Sequence, residues 1–507
     1  MNKSIPAALA VALCLAGCAA GPDYARPPLD LPARYTAAPP LAEAGEGVPL
    51  PRLSPGLDIP AQWWAAFHNE PLNALVAQSL AGNPGVEAAD AALRAARENE
   101  AAQRAAFWPV LTAGLAPTRQ RVANAVASPV SSNASLYTLH TAQLNVSYAP
   151  DVFGATRRQV ESAQAQTEAQ RFQLLAARLT LSSNVVAAAI AEASLRAQRR
   201  ATLAIAESQA QALQAYRRQL ALGQVAQADV EAQAALLAAT EAAVPALDKQ
   251  LAQQRNQLAV LGGHYPSEEV AARFELDTLA LPIELPLALP ALLVEHRPDV
   301  RAAEAQLQAA SAAIGVAVAA RLPAVTLSAN LGSSAYTLSQ LFHSPAMFWT
   351  VAAGVAQPLF DAGALGHREA AARASFDEAA AQYRATVLSA FQDVANTLAA
   401  IDADTRALQA SVRAERTAAQ ALARTRAQLQ WGDASALALL LAQQQQAQAE
   451  INLVQARAQR LTDAAALFQA LGGGWWNAPA DPRPPAAAPV ASSLSSSSSS
   501  SSSTATP

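Results

Sequence analysis

The sequence predicts a mainly α protein with a membrane β-barrel. It is a duplicated unit in which very long helices form a tube and four strands per chain contribute to a barrel shared between chains. Three observations predict it: a repeat offset by about 210 residues, apolar periodicity sustained over nearly 70 residues, and four strand-like segments at matching places in the two copies. The chain has 507 residues, 52% hydrophobic, 15% charged and 5% aromatic, with a net charge of −4. Much of the apolar fraction is alanine, which favours helix but buries little surface per residue. Long, thin, closely packed helices therefore fit the composition better than a thick core. The near-neutral charge, with no basic block, argues against nucleic acid as a partner. Lysine occurs only at Lys3 and Lys249, so a GxxxxGK phosphate loop is excluded.

The N-terminus reads as an export signal over residues 1–17, with Lys3 as its positive region and Ile5 to Leu15 as an apolar stretch too short to span a bilayer. Leu15-Ala16-Gly17-Cys18 resembles a bacterial lipoprotein box. Cys18 is then the lipidated first residue of the mature chain, carrying covalent diacylglycerol and an N-acyl lipid. The alternative is an ordinary cleavable signal that contains a cysteine. Cys14 leaves with the signal, so no intramolecular disulfide is expected. Ala19 in place of aspartate fits, by the same resemblance, sorting to the outer membrane. Residues 276–294 come nearest to a helical span, but Asp277, Glu284, Pro282, Pro286 and Pro290 break them.

The repeat is read from landmarks. Asn83-Pro84-Gly85-Val86 leads to Phe107-Trp108-Pro109-Val110, and Arg297-Pro298-Asp299-Val300 leads to Arg321-Leu322-Pro323-Ala324, at an offset of 214. Gln219 to Gly223 matches Gln428 to Gly432 at 209, and Leu261-Gly262-Gly263 matches Leu471-Gly472-Gly473 at 210. The first copy predicts a helix over 71–106, opened by Pro71, then strands, a helix over 155–222 broken by Gly223, and a further helix to 261. The second predicts helices near 298–321, 364–431 and 433–471. Phe376, Tyr383, Val387, Val394, Leu398, Ile401, Leu408 and Val412 recur at close to 3.6 residues and lie on one face. A helix of that length extends for roughly 100 Å.

Strand signals fall at 110–115, 139–148, 324–331 and 348–355. Each is close to the length of a tilted strand crossing an outer membrane, and several alternate apolar with small or polar residues. Soluble hairpins between helices are the alternative. Four strands cannot close a barrel, and open edges are intolerable in lipid, so several chains must share one.

With these residues in place, the chain resembles the outer-membrane factor family of tripartite efflux pumps, in its NodT-like lipoprotein branch with a TolC-like fold. The likeness rests on Cys18 followed by Gly21-Pro22-Asp23-Tyr24-Ala25-Arg26-Pro27, on Trp63-Trp64-Ala65-Ala66-Phe67 with Pro71-Leu72, and on Asp151-Val152-Phe153-Gly154. It continues through Leu292 to Val300, Gln357 to Gly363 and Phe468 to Trp475, covering about residues 12–476. The resemblance implies a homotrimer with a 12-stranded barrel in outer-membrane lipid and a 12-helix periplasmic tube. It also implies a periplasmic adaptor (membrane fusion protein) and an inner-membrane transporter as partners. Substrate passes passively, so no enzymatic residues and no cofactors are expected. Residues 18–70, the proline-rich connector 263–296 and the end of the chain from 474 form a collar around two efflux repeats, 71–262 and 297–473.

The resemblance places adaptor-docking tips at Gly223-Gln224-Val225 and Gly432-Asp433-Ala434. Glycine independently suits a tight reversal between two helices, and plain helix capping is the alternative. Relatives often carry acidic residues after the second tip, whereas this chain has Ala436-Leu437-Ala438-Leu439-Leu440-Leu441. The expected constriction is therefore Leu437, Leu440 and Leu441, gating by dewetting, with Asp229 among the few acids nearby; ordinary interhelical packing of these leucines is the alternative. The six histidines (68, 140, 264, 296, 343 and 367) are scattered, so no metal is expected, and Gln443 to Gln446 suit a solvated face or lumen lining. A serine-rich tail closes the chain. Two rivals remain. A membrane-anchored coiled-coil adaptor would lack membrane-crossing strands and a second tip, and a lipoprotein enzyme would need a convergent acid, base or nucleophile cluster.

Overall fold

The structure, a computed structural model, describes residues 20–36, 52–123, 134–268 and 270–478. The expected signal peptide, Cys18 and the serine-rich tail lie outside these residues. Two helices dominate, α3 (Ala155–Ala221) and α7 (Ala364–Trp431), of 67 and 68 residues. Each is followed by a 35-residue helix, α4 (Gln227–Leu261) and α8 (Ala436–Ala470). The apolar face read from the sequence of α7 is buried at Tyr383, Val387, Val394, Leu398, Ile401 and Leu408.

The expected single helix over 71–106 is instead two, α1 (Glu70–Gly82) and α2 (Pro84–Ala105). Pro84 disfavours helical backbone at the residue before it, and Asn83 is extended with φ −77° and ψ 123°. The second copy breaks the same way, between α5 (Pro290–His296) and α6 (Pro298–Ala319), with Arg297 extended before Pro298. The expected start of the last helix at 433 moves to Ala436, because Ser435 accepts the Ala438 N–H as its N-cap.

Both long helices begin at a carboxylate. Asp151 accepts the N–H groups of Thr156 and Arg157, each at 2.9 Å. Asp361 accepts those of Gly363 at 2.9 Å and Leu365 at 2.7 Å. These backbone donors hold the Asp361 carboxyl below its ordinary range. A negative charge at a helix N-terminus satisfies its free N–H groups and its dipole.

The breaks at 83 and 297 create joints. Asn83 caps α2 through its Oδ1, which accepts the Gly85 N–H at 2.8 Å, while its Nδ2 donates to the Leu261 carbonyl at the end of α4 at 3.0 Å. Arg297 donates to the Ala470 carbonyl at the end of α8 at 3.1 Å. Thus α4 stacks end to end on α2, and α8 on α6. Each chain presents four helical columns, two continuous and two composite.

The main core surrounds these joints, midway along α3 and α7. Trp63, in a 3₁₀ turn over Trp63–Phe67, stacks on Phe468 of α8 at 5.5 Å. Strand β1 (Arg52–Pro55) pairs in parallel with β4 (Glu284–Leu287). Trp475 Nε1 donates to the His296 carbonyl at 2.6 Å, and Trp476 Nε1 to Asp58 at 3.0 Å. The chain before α1, the connector and the chain after α8 are thereby tied together. By length and composition one stretch of α3 could cross a bilayer, but half of it is buried inside the protein. Val185, Val186, Ala189, Ile190 and Ala193 of α3 serve this core.

Within the helical part, Asp463 and Arg460 of α8 are almost fully buried with their charged atoms 3.8 Å apart. Burial, then the nearby Asp404 carboxylate, pushes the Asp463 carboxyl up to about 7 from its ordinary 3.8. The folded state therefore holds this proton more tightly than the unfolded chain. The resulting stability is present below about pH 4 and is lost as pH rises toward 7, at up to about 1.4 kcal/mol per unit. Thermal unfolding of wild type against Asp463→Asn between pH 4 and 8 checks this: the wild type should lose stability relative to the variant through that window. Parallel curves would count against it.

Candidate functional site

The four long strands lie at one end of the helices, and the reversals at 222–226 and 432–435 at the other. Strands β2 (Val110–Arg121), β3 (Leu136–Tyr148), β5 (Ala324–Ala335) and β6 (Met347–Ala356) form one antiparallel sheet in the order β2-β3-β5-β6. They run longer than the sequence signals, since backbone pairing carries through polar ends such as Arg119 and Arg121. At about 3.3 Å per residue, 12 residues span about 40 Å, or about 28 Å when tilted by 45°, close to the thickness of a hydrocarbon core.

Residues directly opposite in register share a face of a sheet. One face carries the rows Leu111–Val146–Ala329–Val351 and Ala113–Leu144–Leu331–Trp349. The other carries Thr112–Asn145–Asn330–Thr350 and Val110–Ser147–Ser328–Ala352. Thr141 and Ser334 hydrogen-bond on this second face at 3.1 Å. The apolar face is uncovered: Leu111, Val351 and Trp349 are 65, 72 and 74% exposed. The outer edges of β2 and β6 pair with nothing among the described residues. A water-soluble hairpin pair has no reason to expose such a face.

At the opposite end the two reversals are built alike. The Gln224 N–H donates to the Gln219 carbonyl at 2.9 Å, and that of Gly223 to Leu220 at 2.9 Å. Asp433 donates to Gln428 at 2.9 Å, and Gly432 to Leu429 at 3.2 Å. This double closure requires a left-handed residue, and Gly223 and Gly432 have φ of 71° and 80°. Val225 joins a small apolar cluster with Leu213, Tyr216 and Val230, while Ala434 is half-buried and Gln224 and Asp433 are exposed. Asp229 accepts the Ala226 N–H at 3.1 Å, fastening the start of α4. Burial, and then the charge of Asp229, raises the Tyr216 phenol above its ordinary range.

The leucines after the second tip divide. Leu439 and Ala442 pack on Leu422 of α7. Leu437 and Leu441 are 60 and 49% exposed, and Leu440 is half-buried. Packing within one chain therefore uses Leu439 and leaves Leu437 and Leu441 on an open face. Leu222 and Trp431, the equivalent residues just before each tip glycine, are also largely exposed. Among the described residues, no group of three His, Cys, Asp or Glu side chains is placed to hold a metal.

A two-faced sheet at the head of helices about 100 Å long defines a membrane channel protein with a helical stalk. The sequence profile described as Outer membrane efflux protein matches residues 75–264 and 289–473. The chain is 30% identical over 417 residues to the pyoverdine export outer membrane protein OpmQ of Pseudomonas aeruginosa, covering 82% of this chain and 87% of that protein. It is 30% identical over 481 residues to the toluene efflux pump outer membrane protein TtgF of Pseudomonas putida, covering 94% and 98%. The solved outer-membrane channel OprN superposes with a TM-score of 0.82 at 30% identity, over 90% of this chain and all of that one. VceC from Vibrio cholerae does so at 0.77 and 27% identity, over 82% of this chain and all of that one. The chain belongs to the outer membrane efflux protein family: it is an outer-membrane efflux channel component that extends into the periplasm.

The glycine at each tip supplies a testable local effect. Nothing lies within 4 Å of a Cβ placed on Gly223, so a substitution there meets only backbone strain. Gly223→Val should destabilise the tip by about 1–2 kcal/mol, and Gly223→Asn, which tolerates left-handed backbone, by less. Amide exchange between residues 213 and 237 should quicken in that order and stay unchanged around Trp63.

Proposed function

We propose that three copies close their sheets into a 12-stranded barrel, with the apolar face toward lipid and the polar face toward the lumen. Twelve helical columns continue the lumen through the periplasm. The observation that carries this reading is the uncovered two-faced sheet with unpaired outer edges, since in hydrocarbon each unpaired backbone group costs several kcal/mol. Three times four strands also exceeds the eight of the smallest bacterial barrels, which four alone do not reach.

The chain acts as a passive duct for small molecules, drugs or other toxic compounds, with no catalytic step and no cofactor. An inner-membrane transporter supplies the driving force, and a periplasmic adaptor joins it to the tips around Gly223-Gln224-Val225 and Gly432-Asp433-Ala434. Relatives named for efflux pumps support such partners. Cys18 carries diacylglycerol and N-acyl lipid that anchor the mature chain. Residues 18–70, 263–296 and 474 onward serve as the collar of the two repeats.

The closed state is an apolar constriction. Leu437, Leu440 and Leu441 from three chains converge just inside the tips and exclude water, while Asp229 holds the facing helix start in place. The exposed positions of Leu437 and Leu441 support this, since intrachain packing leaves them free to face the lumen. Single-channel recording in planar bilayers tests it. Replacing the three leucines with serine should raise resting conductance several-fold at equal insertion. A resting state as tight as wild type would refute the constriction, and the lack of any pore or heat-modifiable trimer would refute the shared barrel.

A further inference from the structure

The stretch Gly21-Pro22-Asp23-Tyr24 belongs to no helix or strand, yet it is closely held. The Ala20 N–H donates to the Phe153 carbonyl, in the turn between β3 and α3, at 2.9 Å. Gly21 has a φ of +88°, and a Cβ on it would lie 2.4 Å from the Gly315 Cα of α6. A Cβ on Gly315 would in turn lie 2.7 Å from Arg158 Cγ and 2.9 Å from the Ala20 oxygen. The two backbones meet with only hydrogen between them.

Arg158, in the first turn of α3, closes the other side. Its Nε donates to the Ala20 carbonyl at 3.2 Å, its Nη2 to Asp23 at 2.7 Å, and its Nη1 to Glu161 at 2.7 Å. The Arg158 side chain is only 6% exposed, which an arginine tolerates when its donors are paired. Further along, Tyr24 packs against the core and Arg26 pairs with Glu304 of α6 at 2.6 Å.

We propose that the Phe153 carbonyl, Gly315 and Arg158 form a docking slot for the processed N-terminus, fixing the lipid-bearing residue at the foot of the sheet. The inference rests on the lipid modification of Cys18 proposed above. Cys18 precedes Ala20 by two residues, and two residues reach at most about 7 Å, so a lipid on Cys18 is tethered beside the strand–helix junction that holds Ala20. Trp108 before β2, and Leu359 and Phe360 after β6, flank this same end of the sheet and are 74, 93 and 91% exposed. Aromatic residues mark the level where membrane meets water. The slot thus delivers the acyl chains to the leaflet beside that belt and sets the depth of the channel in the bilayer. It also dictates sequence: the third residue beyond the cysteine must be glycine.

The test uses the full chain labelled with tritiated palmitate, purified in detergent and treated with proteinase K on ice. In wild type the label should stay with the full-length band. Gly21→Val and Asp23→Ala should release it as a short acyl-peptide at least ten-fold faster, with the helices uncut. The Asp23 side chain is 95% exposed, so Asp23→Ala opens no cavity among the helices. Wild-type release rates in both variants would overturn the slot and leave the lipid reading intact. Failure of the wild type to take up label would overturn the lipid reading, and the slot with it.

Discussion

Backbone amides and carbonyls on the outer edges of β2 and β6 impose the governing constraint. In water an open sheet edge is an aggregation hazard, and in hydrocarbon it is untenable. The register shows that this edge problem cannot be avoided by keeping the sheet in water, because one face is apolar across all four strands. The long helices follow from the same requirement. A sheet with two open edges has only its strand ends to hold it at a fixed angle, and α2, α3, α6 and α7 rise directly from those ends.

Packing is distributed unevenly along the helices. The broad core, from Trp63 and Phe67 through Tyr383 and Ile401 to Leu467 and Phe468, lies around the joints at Asn83 and Arg297. Toward the tips it thins to two small clusters, one around Leu213, Tyr216 and Val230 and one around Leu422, Leu439 and Ala442. Few buried apolar contacts mean low local opening free energy. The tip end is therefore the less firmly packed end, while Glu192, fully buried between Arg196 and Arg255, sits in the firmly packed middle.

The sequence was most legible where one physical rule acts alone. Apolar residues at helical spacing marked α7, its repeat placed α3 nearly to the residue, and glycine marked both breaks between long helices, where the resemblance placed the tips, since positive φ admits few alternatives. The break at Asn83 was missed because Pro71 already supplied a helix start and the apolar pattern continues past Pro84. Leu439 could not be told from Leu437 and Leu441, since that choice depends on how α8 is rotated against Leu422. Arg158 was invisible for a similar reason: its partners at 20, 21 and 23 are distant in sequence and meet it only after folding. The Asn83 and Arg297 bridges to neighbouring helix ends share that character. Only their proline-marked repetition, at an offset of 214, hinted that the two residues do equivalent jobs.

The composite columns carry a mechanical consequence. Among the described residues only α3 and α7 run covalently from sheet to tip, whereas α4 and α8 stop at the joints and touch α2 and α6 through side-chain bridges and closely approaching backbone. A sideways swing of a lower helix can therefore pivot on its joint without dragging its upper counterpart. Strain applied at the tips reaches the sheet along continuous chain only by flexing two slender rods. The molecule is jointed so that displacement at the tips need not disturb the sheet.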